Sequence, residues 1–159
     1  MTVDVAALNQ QSLSHFKGLF ASLDPPPFQA LTGIYQAAFV GPGWVRALAG
    51  PALKVTGLDG WCGKAFDGQG GGLNIVRRQG RMERLLPMRV IETPSLIDDR
   101  PGLALAYPTD AHPPWPWIRD ELRRLDEGAL LGMVLVWRGP LWRFPFPFLL
   151  RQVEGDHEL

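Results

Sequence analysis

Only one cysteine, Cys62, occurs in the 159 residues. Without a second thiol there is no internal disulfide and no structural zinc site built on several thiolates, and a reducing compartment suits such a chain. An excess of either charge is missing too, since 16 Lys and Arg stand against 16 Asp and Glu. Binding driven by counterion release needs a basic surface, so no nucleic acid is expected as a partner. Long hydrophobic runs are absent: the longest, Gly128 to Trp137, is far below the roughly 20 residues that span a bilayer. Met1 to Gln10 has neither the basic start nor the apolar core of a secretory signal. These absences predict a cytoplasmic chain with no membrane span, and its length suits one domain.

Turn residues are what the chain has in quantity. Gly 18 and Pro 15 make up about a fifth of it, roughly twice the usual share, which disfavours a helical bundle. Hydrophobic residues at 46% rule out disorder of the whole chain. Val5, Leu8, Phe16, Leu19 and Leu23 recur at helical intervals and predict an N-terminal helix that ends at Asp24, before Pro25-Pro26-Pro27. Beyond it, breakers cut the sequence into short runs that read as strands: Leu31 to Val40, Gly60 to Phe66, Leu73 to Arg78, Arg81 to Glu92, Leu103 to Tyr107, Ala129 to Trp137 and Trp142 to Gln152. Turn signals every 8 to 12 residues suggest a sandwich or a barrel. A nearly closed antiparallel β-barrel is the better expectation, because it removes edges and leaves room for one small ligand. The expected organisation is an N-terminal helix over 1–24, packing on or capping a barrel of 25–153, and a polar tail of 154–159.

In Phe144-Pro145-Phe146-Pro147-Phe148 both prolines share one parity, so both missing amides point to the same neighbour and predict an edge or seam strand. Such an edge could be covered by a second subunit, which makes a homodimer compatible with the sequence. Phe144, Phe146 and Phe148 share the other face, as barrel core or as part of a ligand wall.

Candidates for chemistry are few. The run Asp67 to Gly72 lacks the Lys-Ser/Thr and the helix of a phosphate loop and reads as a flexible hairpin. No His, Asp or Glu spacing of a known metal site occurs. His112 lies in a loop with Asp110, Trp115 and Trp117, where it could be exposed, a general base or a haem ligand; no cofactor is expected, with haem the minor alternative. Cys62 reads as a buried thiol. Ile118 to Gly128 carries Ile118, Leu122 and Leu125 at helical spacing with a glycine cap and predicts a short helix, on which Arg123 is a solvated charge or a partner for a ligand carboxylate.

Four pieces together resemble a known family. Leu31-Thr-Gly-Ile-Tyr-Gln-Ala37, Gly60-Trp-Cys-Gly-Lys-Ala-Phe66, Ala104-Leu-Ala-Tyr107 and Ile118 to Met133 occur in the order found in the GXWXG-type family of small bacterial proteins. The piece Gly60 to Phe66 is similar to that family's Gly-Trp-Tyr-Gly-Lys-x-Phe. Tyr35 stands where the namesake tryptophan belongs, Ala37 for the following glycine, Cys62 for an aromatic and Pro108 for an acid. The resemblance implies a lipocalin-like, or calycin-like, barrel and places Ile118 to Leu125 in the sheet or its connection, against the helix reading. It implies no reaction. In such a barrel Tyr35, Trp61, Tyr107 and Phe146 would be walls, with Lys64, Asp120 and Arg123 as polar anchors.

Strict alternation sets Cys62, Lys64 and Phe66 on one face of their strand and Trp61 on the other, so Trp61 and Lys64 share the interior only if a bulge intervenes. The leading expectation is binding of a hydrophobic or amphipathic small molecule, a carboxylate being one form it could take, between aromatic walls and Lys64 or Arg123. Two alternatives stand beside it. One is a cofactor-free lyase, isomerase or cyclase using Lys64, Asp120, Tyr107 or His112. The other is a protein-interaction module anchored by Trp115 and Trp117, which requires exposed indoles.

Overall fold

The computed structural model describes residues 2–139 and 144–159. Eight strands follow in chain order: β1 Thr32–Phe39, β2 Trp61–Asp67, β3 Gly71–Arg78, β4 Arg81–Pro94, β5 Pro101–Ala106, β6 Ile118–Asp126, β7 Ala129–Val136 and β8 Pro145–Val153. Each pairs antiparallel with the next, and β8 returns to β1 with Leu150 opposite Ala37, so the ring closes. This is a mainly β, lipocalin-like barrel. The glycine run forms the β2–β3 hairpin, where the Asp67 carboxylate accepts from the Gln69 and Gly71 amides at 2.7 and 2.9 Å and Gly68 and Gly70 take positive φ.

The N-terminal segment is two helices, α1 Val5–Leu8 and α2 Leu13–Ser22, because Ser12 caps a new start by accepting from the His15 amide. Phe16 and Phe20 of α2 are buried with Leu131, Met133 and Leu149 on the outer face of β7 and β8, so this segment lies against the barrel's side. A third helix, α3 Gly43–Val55, lies between the first two expected strands, in a stretch where no element is expected from the sequence. Pro42 precedes its first turn, where a missing amide costs nothing, and Pro51 is tolerated inside it although it leaves the Ala47 carbonyl without its donor. Only Val45 of this helix is fully buried.

Ile118 to Leu125 is strand, contrary to the helical spacing. Tertiary pairing decides: β6 is bonded to β5 and β7 over most of its length, and alternation puts Ile118, Asp120 and Leu122 inside. The outward residues Glu121 and Arg123 are buried as well, under the 95–100 segment and α2, which hides the period-2 signal.

β8 is not an edge. The Val40 amide donates to the Pro147 carbonyl at 3.1 Å, and Pro147 has no amide to return. Both prolines turn their missing amides to the point where β1 leaves the ring for α3, so closure removes the edge on which a dimer argument rested. Trp142 lies outside the described residues. The polar tail forms a 3-10 turn, Asp156–Glu158, and Leu159 lies over Gly63 of β2. Among the described residues no helix is long and apolar enough to cross a membrane.

Candidate functional site

Two bulges build the site. The β2–β3 register slips between Trp61 and Gly63, and Cys62 turns toward Met82, with its thiol pushed up by burial and opposed by Arg77. Trp61 and Lys64 therefore both face the interior. On β4 the register slips opposite Leu73 and Asn74, where Leu86 adopts φ 53°. The Leu86 carbonyl accepts from Asn74 Nδ2 at 3.0 Å, which aims Asn74 Oδ1 at Trp61 Nε1, 3.1 Å away, and at Lys64 Nζ, 2.8 Å away.

Lys64 is the hub. Its ammonium also donates to the Tyr107 hydroxyl at 2.9 Å, lies 3.0 Å from Asp120 Oδ2 and faces Met88 Sδ at 3.8 Å. The rings of Trp61, Tyr107 and Phe148 surround it at 5.3 to 5.8 Å. Tyr107 in turn donates to Asp120 Oδ2 at 2.6 Å. Burial pushes the Lys64 amine below its ordinary value, against the attraction of Asp120. Burial, and then Asp120, hold the Tyr107 hydroxyl well above its ordinary value.

Three hydrogens on Lys64 meet Asn74, Tyr107, Asp120 and Met88, so none is left for a ligand. Asp120 differs. Both contacts above fall on Oδ2, and among the described residues nothing pairs with Oδ1. No fully enclosed side-chain oxygen or nitrogen there lacks a partner, so Oδ1 must meet open space.

That space is a cavity of about 590 Å³ at the mouth of the barrel. Phe39, Trp61, Ile118, Val134, Val136 and Phe146 form its walls, and α3 covers it with Leu48, Ala52 and Leu53. Lys64, Tyr107 and Asp120 form its floor. Below that polar layer the bore is filled by Tyr35, Phe66, Val90, Leu103, Leu122, Leu130 and Leu150.

Five of the eight residues singled out in the sequence thus meet at one cavity: Trp61, Lys64, Tyr107, Asp120 and Phe146. Tyr35 is inside the barrel but in the filled half, edge-on to Phe66. Arg123 is outside it: its guanidinium pairs with Asp98 at 2.5 and 2.8 Å and donates to the Phe20 carbonyl, tying α2 to β6, so it can hold no ligand carboxylate there. His112 is exposed on the rim of an adjoining groove, its Nδ1 against the Pro113 carbonyl, and no histidine lines the cavity among the described residues, which leaves the haem reading without its ligand. Trp115 is buried and donates to the Thr56 carbonyl at 2.8 Å, holding the end of α3, so it is no exposed docking indole.

Sequence reasoning missed Asn74, Met88 and α3. Asn74 had a signal, an amide between Leu73 and Ile75 in mid-strand, where such a residue is disfavoured unless it is bonded. The helix had a signal as well, Val45, Leu48, Ala52 and Val55 at helical spacing with Pro42 before it, but Gly50 and Pro51 inside it interrupt the pattern.

No family model and no curated protein matches the chain. The crystal structure of a protein from Thermomonospora curvata is similar, with a TM-score of 0.72 over 94% of this chain and 93% of that one. At 19% identity this likeness speaks for the barrel alone.

Proposed function

We propose that the barrel binds a hydrophobic or amphipathic small molecule in the cavity between α3 and the Lys64–Asp120 layer. The observation that carries this reading is the cavity itself, about 590 Å³ of aromatic and aliphatic wall closed below by one polar layer. Concave, mostly apolar space with a few convergent polar groups is the form small-molecule sites take. Lys64 is part of the cavity floor but donates its hydrogens to Asn74, Tyr107 and Asp120 rather than to a ligand.

Acid–base turnover in the same cavity is the second reading, that of a cofactor-free lyase, isomerase or cyclase. It is favoured by Asp120, whose one oxygen is held by Tyr107 and Lys64 while the other is open, as a general base requires. Native mass spectrometry of the purified protein tests both. A copurifying apolar molecule that is lost in Val134→Trp, which fills the cavity, is the expected result. A wild-type protein that stays empty when offered apolar compounds overturns the binding reading, and a compound released with changed mass favours turnover.

A further inference from the structure

Among the described residues, the floor of the cavity offers a ligand only one kind of polar contact. Every hydrogen of the Lys64 ammonium is directed at Asn74, Tyr107, Asp120 or Met88, the Tyr107 hydroxyl is given to Asp120, and the Trp61 indole N–H is given to Asn74. What remains is an acceptor, Asp120 Oδ1. Resting on the binding reading above, we infer that the molecule held here is a neutral alcohol or phenol, an apolar body whose one hydroxyl donates to Asp120 Oδ1.

The alternatives fail on charge. A carboxylate would set a second anion against Asp120, and Lys64, the one cation among the described residues that line the cavity floor, is already enclosed by its partners. An ammonium would leave water for a carboxylate whose charge Lys64 already balances at 3.0 Å, and burial of a charge is costly unless it gains a partner of its own. A pure hydrocarbon or an ether would fill the walls but leave a buried carboxylate oxygen dry, losing the contact that a hydroxyl makes. A hydroxyl meets the acceptor and brings no net charge.

The test uses the whole protein and three probes that share one chain: decanol, decyl methyl ether and decanoate. Binding is read from quenching of the indoles, because Trp61 and Trp115 both line the cavity. Decanol should bind about tenfold more tightly than either of the others, the usual worth of a hydrogen bond to a charged group. Ether binding as tight as decanol, or decanoate binding tighter, overturns this inference and leaves the cavity reading standing. Failure of all three to bind overturns both. Asp120→Asn supplies a second arm. Its amide oxygen would turn to Lys64 and Tyr107 and its NH2 to the cavity, so the gap between alcohol and ether should close or reverse in a variant whose near-UV circular dichroism shows it folded. An unchanged gap in that folded variant also overturns the inference.

Discussion

Lys64 and Asp120 touch at 3.0 Å across the bore of the barrel, from β2 and β6, four places apart in a ring of eight. Each is almost wholly shielded from bulk water, so each charge is balanced chiefly by the other. Removing one partner strands the second, and Lys64→Met or Asp120→Leu alone should cost about 3–5 kcal/mol. The double variant should lose clearly less than the sum, because two apolar side chains leave no orphaned charge. Chemical denaturation of the four proteins checks this, and strict additivity would mean that the pair is not coupled.

Gly132 of β7 faces the ring of Phe148, and a methyl group there would fall inside that ring. Phe148 also lies against Lys64 and Trp61, so it cannot retreat without disturbing the polar layer. Gly132→Ala should destabilise the protein by about 1–3 kcal/mol through overpacking and weaken ligand binding with it. Wild-type stability in this variant would show that the ring has room to move.

The Arg123–Asp98 pair joins the N-terminal helices to the barrel from outside. Asp98 is held below the usual carboxylate range, chiefly by its hydrogen bonds from Arg123. Arg123→Met should cost about 3 kcal/mol, the low end for a broken buried pair because Asp98 keeps some contact with water. Probe affinity should be unchanged. A loss of affinity in the folded variant would put Arg123 in the site after all.

Tyr35 and Tyr107 are both held above their ordinary value of 10.0 by burial, Tyr107 well above it. The folded chain keeps protons there that the unfolded chain releases, so these two groups make stability fall as pH rises above 10.0. Lys64 acts in the opposite sense. Its lowered value means that the unfolded chain holds the extra proton between the folded value and 10.5, where stability gains with pH. Tyrosinate absorbance should therefore not develop in the folded protein as pH passes 10.0, but should develop normally in denaturant. A tyrosinate signal near 10.0 from folded protein would contradict the enclosure of both rings.

Most of the barrel was legible because glycine and proline punctuate it. Seven of the eight strands announce themselves as short apolar runs between breakers that cannot continue a sheet. β6 did not, because both of its faces are covered: Arg123 and Glu121 are buried outside while Asp120 is buried inside, so polarity no longer tells one side from the other. Its apolar residues Ile118, Leu122 and Leu125, spaced as on a helix and followed by Gly128, point to a helix instead. The candidate site was half legible for a related reason. Trp61, Lys64, Tyr107 and Asp120 stood out as residue types, but which of them meet depends on two bulges, and a one-residue slip reverses the facing of everything beyond it.

The sequence by itself determined a short-stranded antiparallel barrel with a helical start, through the local stereochemistry of its breakers and the period of its apolar residues. Only the tertiary structure decided that the ring closes past two prolines, that α3 covers its mouth, and that Lys64 is spent on Asn74, Tyr107 and Asp120 while Asp120 Oδ1 stays open. The reason is one of range. Turn chemistry and alternation act over a few neighbouring residues, whereas the partners of a buried charge come from β2, β3, β6 and the end of β5, and no local rule sets their distance across the bore.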